Sequence, residues 1–314
     1  MASRLSGHRD RLTNGELEHL NYFLLRLAAL TSQRKVVQLF RGDKVENLFQ
    51  RLNVPYVPQD PDYVTVLGRL FMIGEKSKHF YREHFPGAKG RVLRIDEDGK
   101  EAFEFIFDHL NRAIRSKDSI HVAFFRRNEE FKGYFATRNN KREFVEKAQR
   151  CDDGCRNAYK NRYLTLLHQL GSITYKDKSH LISTSSSTSV AEKFSGKGGA
   201  EQGMKLYAWA PNTWILPRTR TGELPNYKGR PYPLQKEVSL QAGILPHYII
   251  GVELSKRRFF YNPYLFRTEI NNSTFAEGFD VNQEHFEPVL KQTNYSRSFK
   301  IVDEHIWEQV TGKR

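Results

Sequence analysis

Gln235-Lys236-Glu237-Val238-Ser239-Leu240, continuing into Gln241-Ala242-Gly243-Ile244-Leu245, is the stretch on which the fold turns. It reads as a strand. Leu234, Val238 and Leu240 are apolar, and Gln235 and Glu237 sit two apart, so a period of two puts both polar side chains on one face. Such alternation is ordinary at a solvated edge, and a functional site therefore needs partners elsewhere in the chain.

Upstream of this strand, Trp214 to Lys236 carries Arg218, Arg220, Lys228, Arg230 and Lys236 against the single acid Glu223, with Tyr227 and Tyr232 among them. A segment this long without regular structure is usually functional or disordered, and its abutment on Gln235 and Glu237 favours function. Downstream, Tyr248 to Leu254 predicts another strand. Lys256-Arg257-Arg258-Phe259-Phe260-Tyr261 is a second basic and aromatic cluster, and an amphipathic piece spans 301–310.

The N-terminal part opens with Thr13-Asn14-Gly15-Glu16, a capping box. It precedes a helix with Leu17, Leu20, Phe23, Leu24, Leu27 and Leu30 at helical spacing. A strand over 36–40 then runs into Arg41-Gly42-Asp43. An arginine at a strand end beside a glycine is placed to reach a ligand phosphate, although a surface turn would use the same residues. Helices are expected over 45–52, 66–85, 101–115, 142–150 and 156–170, with a strand over 119–125. Val122 to Leu170 holds eleven Lys/Arg and six acids, interleaved with Phe124, Phe125, Phe131, Tyr134 and Phe135. This mixture suits a stacking and phosphate-binding surface or a solvated helical face over its core stripe. After Gly171, short strands are expected over 173–175 and 179–182. A serine-rich tract, a capped helix from Val190 to Phe194, a glycine-rich loop from Ser195 and a strand over 205–210 follow.

The composition bounds the class. A chain of 314 residues with 39% hydrophobic and 13% aromatic residues can bury a core. No apolar run approaches the ~20 residues of a membrane span, and Met1 to Arg9 has no apolar signal core, so a cytoplasmic protein is expected. Cys151 and Cys155 are the only cysteines. His168 and His180 are available as further ligands, but the spacing matches no standard zinc pattern, so reduced thiols and no metal are expected. Fifty Lys+Arg against 36 Asp+Glu give a net charge of +14. That excess favours polyanionic partners, nucleic acid first, or else solubility with one anionic cofactor.

Three features stand in order along the chain: Phe40-Arg41-Gly42, then Leu181-Ile182-Ser183-Thr184-Ser185 with Ala191 and Phe194, then Gln235-x-Glu237-Val238 with Gly243. The set resembles the Arg–Ser–Glu class of mono-ADP-ribosyltransferases over roughly residues 15–42 and 170–255. Two departures accompany it. The separation from Arg41 to Ser183 is longer than in that family, which implies either a helical insertion or a different arginine, Arg126 or Arg127. The serine tract also allows a second register at Ser187-Thr188-Ser189, with Ser183 preferred because Val190-Ala191 then falls at the family's offset.

The resemblance implies an α+β fold: two small packed sheets forming an NAD cleft behind an N-terminal helix. It would be a single domain over 1–314, with a mostly helical insertion at 43–170 and an extension at 256–314. It implies NAD as co-substrate, with Arg41 and Gly42 at its phosphates and Ser183, Thr184 and Ser185 positioning it and the catalytic Glu237. The glycine-rich loop 195–203 would fold over nicotinamide, and Phe194 would stack on it. Gln235, with Tyr227, Tyr232, Arg218, Arg220, Lys228 and Arg230, would present the acceptor. A Gln two before the catalytic Glu goes in that family with acceptors other than arginine. The basic loop tilts the expectation to nucleic acid, RNA before DNA, as in bacterial toxins and phage-defence enzymes. A toxic enzyme of this kind implies an antitoxin partner or tight control of expression. A protein acceptor, plain NAD hydrolysis and a non-catalytic nucleic-acid-binding protein are the competing expectations.

Overall fold

The computed structural model describes residues 13–52, 54–76, 100–171, 181–196, 202–211, 224–241, 243–244, 248–254 and 258–262. The expected strand at 173–175, His180, Arg218, Arg220, most of the glycine-rich loop, the Lys256-Arg257 pair and the amphipathic piece at 301–310 lie outside these residues.

Helix α1 (Asn14–Ser32) starts on the expected capping box: the Glu16 N–H donates to Thr13 Oγ1, and the Thr13 N–H donates to the Glu16 carboxylate. Leu20, Phe23, Leu24 and Leu27 form its buried stripe. Strand β1 (Val36–Lys44) follows, then helices α2 (Val45–Arg51) and α3 (Tyr63–Ile73) and the short strand β2 (Glu75–Lys76). The first part of the expected helix over 66–85 is α3, which stops at Gly74, whose φ of 75° is open to glycine and costly for residues with a Cβ; residues 77–85 lie outside the described residues.

The later strands are β3 (Leu181–Ser185), β4 (Gly203–Pro211), β5 (Glu237–Gln241), β6 (Gly243–Ile244), β7 (Ile249–Leu254) and β8 (Arg258–Tyr261). Six of the eight strands among the described residues form one open antiparallel sheet in the order β5-β3-β1-β4-β7-β8, and β2 pairs with β6 in a two-stranded ribbon. The class is α+β; a single six-stranded sheet and a ribbon stand where two small packed sheets were expected. β1 and β4 pair along nine register positions, whereas β1 and β3 pair only at Phe40↔Ser185. The β3–β5 pair is thus joined to the rest of the sheet at one point.

Helices α4 (Lys100–Ala113), α5 (Ser119–Arg126), α6 (Glu129–Ala136), α7 (Asn140–Arg150) and α8 (Asp153–Gln169) build a second core of their own. The segment 119–125, expected as a strand, is helix α5. Asp118 accepts hydrogen bonds from the Ile120 and His121 N–H groups and so caps a helix start. The β-branched Ile120 and Val122 that pointed to a strand lie exposed, while Phe124 and Phe125 turn inward. Phe131 and Phe135 are buried in the same cluster, so most of the aromatics interleaved with the basic residues are core.

Helix α9 (Thr188–Ser195) lies against β1. The approach is close enough that a Cβ on Gly42 would fall 1.8 Å from the Ala191 carbonyl oxygen. Gly42→Ala is expected to lower the unfolding free energy by about 3 kcal/mol, because two backbones would have to separate. Gly133, inside α6, is the control, since a Cβ added there would meet nothing within 4 Å. Gly133→Ala is expected to stabilise by about 0.5–1 kcal/mol. Urea midpoints of the two variants would check both signs.

Candidate active site

Glu237 opens β5, and Ser183 lies at the middle of β3. The register pairs Ser185 with Glu237 and Ser183 with Ser239, so all four residues share one face of the ladder. Ser183 Oγ donates to Glu237 Oε1 at 2.9 Å, and Ser239 Oγ donates to the same oxygen at 3.2 Å. Glu237 is 7% exposed. A carboxylate at that depth needs donors of this kind to offset its lost hydration.

The neighbouring hydroxyls act on the backbone. Thr184 Oγ1 donates to the Val238 carbonyl at 2.7 Å, and Ser185 Oγ donates to the Gln235 carbonyl at 2.8 Å. Ser185 Oγ also accepts from the Ser187 N–H at 3.1 Å. Ser183, Thr184 and Ser185 thus each fix a different point of the segment 235–238. Ser187 and Ser189, the alternative register, sit at the start of α9 with their hydroxyls 2.9 Å apart.

Gln235 is not on the face of β5. Pro233 begins a single 3₁₀ turn, Pro233–Gln235, and Lys236 turns the chain through the left-handed region at φ 45° and ψ 38° before the strand starts at Glu237. The expected pairing of Gln235 with Glu237 on one strand face is therefore replaced by Glu237 with Ser239. Gln235 stands half-buried beside the site, tied by its carbonyl to Ser185.

Arg41 lies at the point where β1 and β3 diverge. Its Nη1 donates to the Ser183 carbonyl at 2.7 Å. Alternation along β1 puts its side chain on the face opposite Phe40 and Gly42, beside Asp43. There it joins a buried ionic cluster: Arg41 lies 3.6 Å from Asp43 and 3.8 Å from Glu75, and Arg51 lies 2.6 Å from Asp43 and 2.9 Å from Glu75. Burial raises the Asp43 pKa, but Arg51, Arg41 and the Asn47 amide outweigh it and hold the carboxyl below its usual value. The other two arginines considered from the sequence, Arg126 and Arg127, are exposed at the end of α5, where Arg127 donates to the Arg230 carbonyl at 3.4 Å.

The segment 224–236, which leads into Glu237, is anchored on the helical core. Leu224 and Tyr227 pack into the helical core. Tyr163 donates to the Pro225 carbonyl at 2.6 Å, and the Asn128 amide both donates to the Lys228 carbonyl at 3.1 Å and accepts from its N–H at 2.7 Å. The ring of Tyr227 lies 4.4 Å below the Arg162 guanidinium and edge-on to Phe124 and Phe131. Burial pushes its phenol up to about 12, against the opposing pull of Arg162 and Arg230. Tyr227 is thus occupied as a packing anchor. Tyr232 is half-buried, and its phenol is raised by burial and then by the negative charges of Asp118 and Glu237. Arg230 reaches the Glu237 carbonyl with Nη1 at 2.5 Å. Lys228 and Lys236 are exposed on the rim, and Phe194 on α9 is 37% exposed.

His168, weighed from the sequence only as a metal ligand, stands at the centre. It comes from the last turn of α8, and its Nε2 is 2.5 Å from Ser183 Oγ and 3.8 Å from Glu237 Oε1. Nothing in the spacing of residues 168 and 183 marks this contact, which arises where the last turn of α8 comes near β3. Among the described residues no three His, Cys, Asp or Glu side chains converge as metal ligands, and no helix is long and apolar enough to cross a membrane.

The ionic cluster makes acid stability a test of the Arg41 environment. A carboxyl whose folded pKa is depressed contributes stability that is fully present above its unfolded value, about 3.8, and is lost as pH falls through the folded value. The unfolding free energy is expected to fall below about pH 4, and Asp43→Asn to flatten that dependence, as read by urea titrations at a series of pH values. No protein-family model matches the chain, and no curated protein or solved structure is significantly similar to it.

Proposed function

We propose that this chain is an NAD-dependent mono-ADP-ribosyltransferase that carries ADP-ribose from NAD to a nucleic-acid base, RNA before DNA, as a toxin or defence effector. One observation carries the reading: Ser183 Oγ lies 2.9 Å from Glu237 Oε1, so a Ser and a Glu far apart in sequence meet, while the Arg41 guanidinium holds the backbone carbonyl of that Ser.

The chemistry follows from a buried, oriented carboxylate. Cleavage of the bond between nicotinamide nitrogen and ribose C1′ sends the bonding pair to nicotinamide and leaves oxocarbenium character on the ribose. Glu237 stabilises that charge and accepts a hydrogen bond from a ribose hydroxyl, with Ser183 and Ser239 fixing its direction. The acceptor nitrogen or oxygen then attacks C1′ and loses its proton. Arg41 serves here by fixing the Ser183 backbone; holding the NAD pyrophosphate as well would require it to leave Asp43 and Glu75. The exposed cations Arg127, Lys228 and Lys236 favour a phosphate-backbone acceptor, with Tyr232, five residues before Glu237, to meet the base.

Purified protein with labelled NAD and a mixed lysate is expected to release nicotinamide and to label material sensitive to RNase. Glu237→Ala is expected to reduce both by roughly 10²–10³-fold, with thermal unfolding and salt-sensitive RNA binding nearly unchanged. Label lost to protease alone moves the acceptor to a protein side chain, and nicotinamide release without any labelled acceptor reduces the activity to hydrolysis. An unmutated protein that binds RNA but releases no nicotinamide is a binding protein, and the transferase reading then falls.

A further inference from the structure

We infer that His168 is a positioning residue of the proposed transferase: it sets the direction of the Ser183 hydroxyl hydrogen and thereby the orientation of the Glu237 carboxylate. This inference rests on the transferase reading of the site.

The contacts fix the direction of each hydrogen bond. Serine has one hydroxyl hydrogen, and an ionised carboxylate only accepts. With Ser183 Oγ 2.9 Å from Glu237 Oε1, that hydrogen belongs to Glu237. The Ser183 oxygen then faces His168 Nε2 at 2.5 Å with a lone pair, so Nε2 carries the proton and donates. The order is imidazole, hydroxyl, carboxylate. In nucleophilic serine catalysis the imidazole stands in the middle and takes the serine proton. Here the hydroxyl stands in the middle, and the imidazole lies 3.8 Å from the carboxylate. His168 is therefore a donor to Ser183, and Ser183 is not an activated nucleophile.

The bond to Glu237 already biases the Ser183 hydroxyl, and a donor at its lone pair narrows that direction further. His168, with a side chain 9% exposed, is held in place to supply that donor. Without it the Ser183 hydrogen has other directions open to it, and Glu237 spends less time in the orientation that meets the ribose. The residue comes from α8, so the helical unit between β2 and β3 contributes a side chain to the centre as well as anchoring the segment 224–236.

The test uses the full chain and two substitutions. His168→Phe removes the donor and keeps the bulk, while His168→Gln can bring an amide N–H close to the Nε2 position. For His168→Phe, kcat for nicotinamide release is expected to fall about tenfold, the equivalent of one net hydrogen bond, with the KM for NAD changed less than about threefold. His168→Gln is expected to stay within about threefold of the unmutated protein. Nitrogen-15 NMR of the unmutated protein is expected to find His168 protonated at Nε2, with a resonance that moves on Ser183→Ala. Full activity in His168→Phe overturns the inference, as does equal loss in both variants, which would indicate packing alone. A neutral imidazole protonated only at Nδ1 overturns it even if the Phe variant fails to fold. An unmutated chain that releases no nicotinamide overturns the transferase reading itself, whereas an active chain indifferent to His168→Phe overturns only the role given to His168.

Discussion

A carboxylate removed from water has to be met by donors, and the placement of Glu237 sets that requirement for everything around it. Two serine hydroxyls from paired strands converge on one of its oxygens. For both to reach it, β3 and β5 must pair in one register, because a slip of one residue would turn Ser183 to the other face. That register is held in turn by Thr184 and Ser185, which bond the carbonyls of Val238 and Gln235. The Ser-Thr-Ser sequence is thus a latch of three consecutive hydroxyls with three different points of attachment. Its first member faces the carboxylate, and the other two hold the strand that carries it.

Two independent cores frame this latch. The sheet core, with α1 to α3, holds β3 and β5 from one side. The helical core holds the segment 224–230 through Leu224, Tyr227 and the Asn128 clamp, and that segment delivers Arg230 to the Glu237 carbonyl. On the reverse face of β1, Arg41 and Arg51 share Asp43 and Glu75. Opposite charges buried together persist only when each is compensated. Glu75 also pairs with Ile244 in the ribbon, and Ile244 lies just beyond the end of β5. The strand that opens with Glu237 and the ionic cluster are therefore connected through the β2–β6 pairing.

The sequence is legible where structure is local. The capping box at Thr13 and Glu16 needs four residues and nothing else, and it forms as read. Strand β1, the helices at 100–113, 140–150 and 153–169, and strands β4 and β7 follow from periodicity alone. Reading fails where a residue's effect depends on its partners. Ile120 and Val122 carry a β signal that the Asp118 cap and the inward turn of Phe124 and Phe125 override. Gln235 has the spacing of a strand neighbour of Glu237, but Pro233 and the left-handed Lys236 end that spacing before it can act. Tyr227 has the composition of a base-stacking residue and is fixed by Arg162 and two phenylalanines. The meeting of Ser183 with Glu237 follows from motif order; that His168 joins them does not, since no local pattern encodes where the end of α8 comes to lie.

The order of strands across the sheet has a consequence for how the molecule is made. The centre joins residue 41 to residue 183 across 142 positions, and residue 183 to residue 237 across a further 54. Strand β5 leaves the ribosome after β1, β3 and β4, and it takes the edge place beside β3 rather than beside its neighbours in sequence. Contacts this distant along a chain form slowly, because the intervening loops must be closed first. Until residues 237–254 have emerged, a growing chain lacks the carboxylate, the strand that the latch grips and part of the sheet core. Throughout most of its synthesis the polypeptide therefore has its three consecutive hydroxyls without the partners that fix them.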